Sequence, residues 1–367
     1  MTPGTPTSPF PMRLKQARTL RGLSLRELSE NLQNAVSHVA LAKYEQGSIK
    51  PSGELLAKLC SVLHVSPEYL YRPQRVSVDN VSFRKRNAFG EKATAALLED
   101  VRAQLENYLE AEELVGDRVE FEPRIEFPKN AEPKSARALA EKLRAEWDLG
   151  DQPIPSLVDV LEKKGVRVIE IDEPSRSFDG CQIEGYNAIV IGKRPELPIT
   201  RRRFTIAHEF GHVVLNEWGK SHGLEGKDLE KKIINPFASE FLMPASALRS
   251  FFGGARTSIG IQELVSAKLR FGMSICAIVY ALHELGIIGE NAFRRFLTQT
   301  VNLWRRNGEI VEPCDADVSR LYSEEPRRFQ RVVLRGISEG NISLSRGAGL
   351  LGADISELRR DAVPMVE

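Results

Sequence analysis

Apolar residues recur every three to four positions along most of this chain, the spacing of helices with one buried face. Between residues 13 and 70 the pattern breaks into short pieces. Helices are predicted over 13–20, over 24–32 behind the capping box Ser24-Leu25-Arg26-Glu27, and over 36–46 ending at Gly47. Two more follow over 51–63 and 66–70. Short helices joined by tight turns predict a compact helix-turn-helix bundle. Residues 76–83 alternate like a short β connector leading into Arg84-Lys85-Arg86. A single long helix is then predicted over 93–115, with Leu97, Val101, Leu105 and Tyr108 on one face and Glu99, Asp100, Glu106 and Glu110 keeping another face wet. Its apolar stripe suits packing within the chain or pairing with a second copy.

Beyond a proline-punctuated, extended linker at 121–133, the period changes. Helices over 135–148 and 156–164 precede strands at 166–171, 181–184 and 188–191, the last two joined by a Gly185-Tyr186-Asn187 hairpin turn. Helical spacing resumes from residue 201, and again over 259–271 and 275–285. Residues 304–313 read as a loop, and short helices over 326–339, 343–351 and 355–360 close the chain. Arg327, Arg328, Arg331 and Arg335 in that tail are expected to be solvated. The fold class is α+β. Residues 1–12, rich in Pro and Thr without an apolar stretch, are expected to be a disordered tail and not a secretory signal.

The chemistry concentrates in the stretch R-R-R-F-T-I-A-H-E-F-G-H-V-V-L at 201–215. His208 and His212 lie four apart, so a helix turns both rings to one side, and Glu209 sits about 100° round from His208. Two imidazoles that hold a zinc ion and a carboxylate that serves as general base are the metallopeptidase arrangement. Ile206, Ala207, Phe210, Val213, Val214 and Leu215 make the helix apolar on nearly every other face, so it should be buried. Buried histidines need a partner or a metal to offset their desolvation.

Charge and cysteine usage narrow the setting. The net charge is only +1, but residues 13–86 carry thirteen basic side chains against six acidic ones, which suits phosphate contacts. Cys60, Cys181, Cys276 and Cys314 are scattered without a C-x-x-C pair, as in free thiols of a reducing cytoplasm. No run of about 18 apolar residues occurs, so no membrane span is expected.

Two resemblances follow from these residues. The string L-R-E-L-S-E…V-S-H-V-A-L-A-K-Y-E-Q-G-S-I-K-P-S…L-L-A-K-L-C-S-V-L-H-V-S-P-E-Y-L resembles the XRE (lambda-repressor-like) DNA-binding family. The resemblance implies a recognition helix at 36–45 that presents Ser37, His38, Val39 and Lys43 to the major groove of a double-stranded operator. Modules of this kind usually act as dimers, which makes a homodimer one option. Leu25 stands where the family has Gln, and Gln33-Asn34-Ala35 lengthens a turn that usually holds one Gly.

The HExxH stretch together with N-P-F-A-S-E-F-L-M-P at 235–244 is similar to the ImmA/IrrE family of zincin-like metallopeptidases, which implies Zn2+ as cofactor. The family's third ligand is a Glu upstream of the second string. An ungapped count places it at Lys231, which cannot serve while protonated. One inserted residue near Pro236 would bring Glu230 into register, and Glu240 is the rival. His222, in a Gly- and Lys-rich loop, is expected to be exposed.

The expected organisation is a tail at 1–12, an XRE domain at 13–72, a connector with the long helix at 73–126, the metallopeptidase domain at 127–290 and a helical region at 291–367. The resemblances imply a transcriptional regulator with a zinc endopeptidase that cleaves an XRE-type repressor or itself. A non-proteolytic switch whose second domain senses a ligand, and an antitoxin or immunity component, are the alternatives.

Overall fold

The computed structural model describes residues 8–78, 90–122, 132–172, 178–306 and 309–361. They fall into two compact units. Residues 8–116 and 333–361 form one, and the residues between 117 and 332 form the other.

The first unit opens with α1 (Phe10–Leu20), α2 (Leu25–Asn31), α3 (His38–Glu45), α4 (Gly53–Leu63) and α5 (Pro67–Tyr71). Serines start four of these helices: Ser24, Ser37, Ser52 and Ser66 each accept a backbone N–H of the first turn, and Ser24 and Glu27 complete the capping box. Leu14, Ala17, Leu28, Leu41, Leu59, Leu63 and Leu70 close the core with no exposure. The tail expected at 1–12 is shorter than that. Helix α1 begins at Phe10, because its buried ring packs on Tyr71 at 5.5 Å and Pro11 is tolerated in the first turn. Residues 1–7 lie outside the described residues.

Helix α6 (Glu91–Val115) packs along α1. Its apolar stripe is buried, and so is Glu106. Glu106 takes the Arg13 guanidinium at 2.8 and 3.2 Å and the backbone N–H of Arg75 at 3.0 Å. Glu110 binds Arg72 and Arg346, and Asn107 donates to the Leu350 carbonyl at 3.1 Å. The long helix is therefore a packing element within this unit. The β connector does not form at 76–78, where the Val76 N–H instead faces Glu106 at 3.3 Å. Its remainder at 79–83 lies outside the described residues.

The second unit contains α7 (Pro133–Glu146), α8 (Leu157–Lys163) and a three-stranded sheet of β1 (Arg167–Ile171), β2 (Gly180–Ile183) and β3 (Ala188–Gly192). The order is β1-β3-β2, with β1 parallel and β2 antiparallel to β3. The β2–β3 turn uses left-handed conformations at Gly185 and Asn187. Strand β3 is buried throughout because both neighbours and a helix cover it, whereas β2 alternates and forms one of the two edges. Part of the expected linker is core: Phe121 is buried and lies 5.8 Å from Phe210 and 6.3 Å from Trp147. Its stretch at 123–131 lies outside the described residues.

Helix α9 (Ile199–Ser221) carries the HExxH sequence over β2 and β3. It is followed by α10 (Gly226–Leu229), a π-helical turn (Glu230–Ile234) and α11 (Asn235–Leu242). The aromatic rings of Phe210 and Phe241 meet at 5.3 Å, and Phe210 and Phe237 at 5.8 Å. A Cβ at Gly211 would sit 3.2 Å from Ile234 and from Phe237, so the glycine lets α9 approach the π-turn and α11 closely.

Helices α12 (Ala245–Phe252), α13 (Ile261–Phe271), α14 (Ile275–Glu284) and α15 (Glu290–Arg295) follow, then a second π-turn (Phe296–Thr300) and α16 (Val301–Trp304). The expected loop at 304–313 contains a two-residue ladder, β4 (Arg305–Arg306) with β5 (Glu309–Ile310), before α17 (Asp315–Leu321). The tail helices are α18 (Arg328–Ser338), α19 (Leu344–Leu351) and α20 (Ile355–Asp361). Arg328 is not solvated as expected. It is buried, donates to the Asp117 carbonyl at 2.6 Å and pairs with the Asp117 carboxylate at 3.3 Å, which offsets its charge inside the unit. Among the described residues no single helix is long and apolar enough to cross a membrane.

Candidate metal centre and DNA-reading helix

Helix α9 is buried, and His208, Glu209 and His212 are 8%, 5% and 9% exposed, so their polar atoms depend on partners inside the protein. The two imidazoles stand 5.1 Å apart by ring centroid. The Glu230 carboxylate closes the group, with Oε2 2.9 Å from His208 Nε2 and Oε1 3.2 Å from His212 Nε2. The π-turn explains how Glu230 reaches them. It starts at Glu230 and adds the extra residue per turn that an ungapped α-helix lacks, while Pro236 has no N–H to continue a regular ladder. The inserted residue expected from the sequence is therefore present, slightly upstream of Pro236.

Glu240 is elsewhere. It is 1% exposed, accepts the Ala245 N–H at 2.6 Å and pairs with Arg137 at 3.3 Å, so it fastens the start of α12. His222 is exposed and contacts Ser221 and the Trp218 carbonyl; it is outside the His208–His212–Glu230 group.

Asn235 was not singled out by sequence reasoning. Its Oδ1 lies 2.9 Å from His208 Nδ1. With Nδ1–H donating there, His208 Nε2 carries the lone pair and points it at Glu230. That nitrogen is buried and has no aligned hydrogen bond. Two acceptors facing each other favour a cation between them. Burial raises the Glu230 carboxyl, but hydrogen bonds from the two imidazoles in their protonated, ion-free form outweigh it and hold the group well below the usual carboxylate range.

The donor set tests well against zinc. Ligand atoms of His208, His212 and Glu230 lie within 4.8 Å of one another. Tetrahedral zinc at about 2.0–2.1 Å from each ligand sets ligand atoms about 3.3 Å apart, so small outward shifts of the rings suffice. Two imidazoles and a carboxylate are one of the sets that leave a fourth position open.

Glu209 is held from the sheet side. A Cβ at Gly180 would lie 3.0 Å from the Val190 carbonyl oxygen, 3.1 Å from Thr205 Cγ2 and 3.2 Å from Glu209 Cγ. Burial and the adjacent Glu209 carboxylate push the Cys181 thiol up, so this cysteine is an inert neighbour.

In the first unit, Ser37 caps α3 and His38, Val39 and Lys43 lie on it, all four exposed. Not every basic residue counted from the sequence is free for phosphate. Arg13 is fully buried on Glu106, Arg18 pairs with Glu45 at 2.6 Å and Arg72 with Glu110. Lys15, Arg26, Lys43 and Lys50 remain exposed. The lengthened turn places Gln33 and Asn34 in the left-handed region, and Ser29 Oγ ties it back to the Val36 carbonyl at 2.6 Å.

Comparison with known families agrees with both halves. Residues 14–70 match the family model described as helix-turn-helix, of the XRE type. Residues 161–283 match the model of the IrrE N-terminal-like domain. No curated protein matches the chain.

Proposed function

We propose that this chain, a DNA-binding regulator in which a helix-turn-helix domain is joined to an IrrE-like domain, is also a zinc-dependent endopeptidase. The observation that carries this reading is the convergence of Glu230 on His208 and His212, with Glu209 beside them on α9.

His208, His212 and Glu230 would hold the ion, and Asn235 would fix the His208 tautomer. Zinc, when bound in such a set, polarises a water and a peptide carbonyl. Glu209 takes a proton from the attacking water and delivers it to the departing amine nitrogen. Its burial keeps solvent from competing for that proton, and Gly180 lets the sheet pack against its stem. The substrate is an XRE-type repressor or this chain's own XRE-bearing half, with double-stranded operator DNA bound by α3.

The alternative of a non-proteolytic sensor draws on the misfit at Lys231; the π-turn that starts at Glu230 supports the peptidase reading over it. Zinc-loaded protein incubated with a purified XRE-type repressor should yield discrete fragments, and Glu209→Gln should abolish them while retaining zinc. Equal cleavage by both proteins would point to a contaminating protease and sink the reading.

A further inference from the structure

Helix α6 brings a cation to the DNA-reading helices from outside them. The helix-turn-helix match covers residues 14–70, and Lys92 lies in the first turn of α6. Its Nζ donates to both carboxylate oxygens of Glu27, at 2.8 and 3.1 Å, across 65 residues of sequence. Both side chains face water, Lys92 at 59% exposure and Glu27 at 46%. Exposed pairs of this kind add little to stability. The Lys92 ammonium, together with the Ser24 cap, pulls the Glu27 carboxyl down to about 2, so both groups are charged at neutral pH.

The place of the pair gives it a role. Helix α2 is the first helix of the helix-turn-helix, the one that crosses the DNA backbone when the second, α3, lies in the major groove. The three residues that open α2 treat a phosphate differently. Leu25 packs on the apolar core and offers no polar group. Arg26 is exposed and attracts a phosphate. Glu27 is committed to the capping box, and its carboxylate repels one. An ammonium has three N–H donors; two of those on Lys92 serve Glu27, and the third is left for another acceptor.

We propose that Lys92 is a DNA-backbone contact: with duplex bound, its ammonium bridges the Glu27 carboxylate and a phosphate oxygen of the strand that α2 crosses. The contact neutralises the one anion among the opening residues of α2 and adds a cation beside Arg26. It is independent of base sequence, because it touches only phosphate. It also makes α6 part of the DNA-binding surface as well as a packing element on α1. The inference rests on the reading that α3 enters the major groove and is independent of the peptidase reading.

The test uses the full-length chain and a short fluorescent duplex that the wild-type protein has selected from a randomised pool, with binding read by anisotropy at several salt concentrations. Lys92→Ala should lower the salt slope by about 1 and weaken binding about fivefold at about 0.15 M salt, as loss of one phosphate contact does through counterion release. Lys92→Arg should keep the slope. Glu27→Gln removes the carboxylate and should tighten binding. Lys92→Ala made in the Glu27→Gln background should still lower the slope by about 1, because the phosphate contact does not depend on the carboxylate. Each variant is first checked for wild-type melting temperature, which the exposure of both side chains predicts. A slope unchanged in Lys92→Ala, or changed only while Glu27 is present, overturns the contact and leaves DNA reading by α3 standing. A wild-type chain that selects no duplex overturns the DNA reading and the contact with it.

Discussion

Replacing Gly180 with alanine tests how closely the sheet holds Glu209, the proposed general base. The added Cβ would meet three groups inside ordinary contact distance: the Val190 carbonyl at 3.0 Å, Thr205 Cγ2 at 3.1 Å and Glu209 Cγ at 3.2 Å. The Val190 carbonyl belongs to β3, buried along its whole length between β1 and β2, and cannot yield. Relief must come from Thr205 and Glu209 on α9. Overpacking of this kind costs about 1–3 kcal/mol, which in a domain of 150–250 residues lowers the melting temperature by about 2–12 °C. If about 1.4 kcal/mol of it falls on the transition-state position of Glu209, peptide cleavage slows about tenfold. The loss should appear in kcat and leave KM little changed, because the displaced group acts on the reaction and not on peptide binding. Zinc content should be unaffected, since the strain falls on Thr205 and Glu209 and not on the ligands. Gly254→Ala, where an added Cβ meets nothing within 4 Å, is the control. A Gly180→Ala protein that is destabilised yet cleaves at the wild-type rate would refute the argument that this contact positions Glu209.

Other expectations follow from the same geometry. Asn235→Ala should weaken zinc binding about 10- to 100-fold in chelator competition, as loss of a partner to a ligating histidine typically does. Burial, the largest cause, pushes the Glu162 carboxyl up to about 7. An acid raised in the folded state holds its proton better folded than unfolded, so stability is lost as pH climbs from the ordinary carboxylate range to about 7. Glu162→Gln should therefore gain melting temperature relative to wild type between pH 5 and 7.5, and a constant difference across that window would contradict the assignment. Lys43→Ala should reduce operator affinity about equally for all sequences and lower the salt slope by about 1, measured by anisotropy at several salt concentrations. Ser37→Ala should cost about 1 kcal/mol of stability through its lost cap.

Much of this fold was legible because local signals and packing agree. The serine caps of α2 to α5 and the alternation of β2 lie in the residues themselves. The HExxH histidines were legible from spacing. Glu230 required a gap that periodicity cannot place, and only the π-turn brings it, and not Glu240, beside the two histidines. Asn235 carries no spacing signal of its own; its role depends on where the π-turn releases the chain beside His208. The basic excess near the N-terminus overstated the charge open to DNA, because composition cannot tell that Arg13, Arg18 and Arg72 are occupied by Glu106, Glu45 and Glu110. Phe10 and Phe121 were assigned to a tail and a linker because a single aromatic among prolines gives no period, yet each ring finds a buried site. The second π-turn at Phe296–Thr300 and the short β4–β5 ladder left no usable pattern either.

The most direct measurement is zinc per chain by elemental mass spectrometry in wild type, His208→Ala and Glu230→Ala. About one zinc is expected in wild type and its loss in both variants, as for a site of three protein ligands. Folding of each variant is confirmed by its helical circular dichroism. A folded Glu230→Ala protein that keeps its zinc as tightly as wild type would contradict the central claim that Glu230 completes the metal centre.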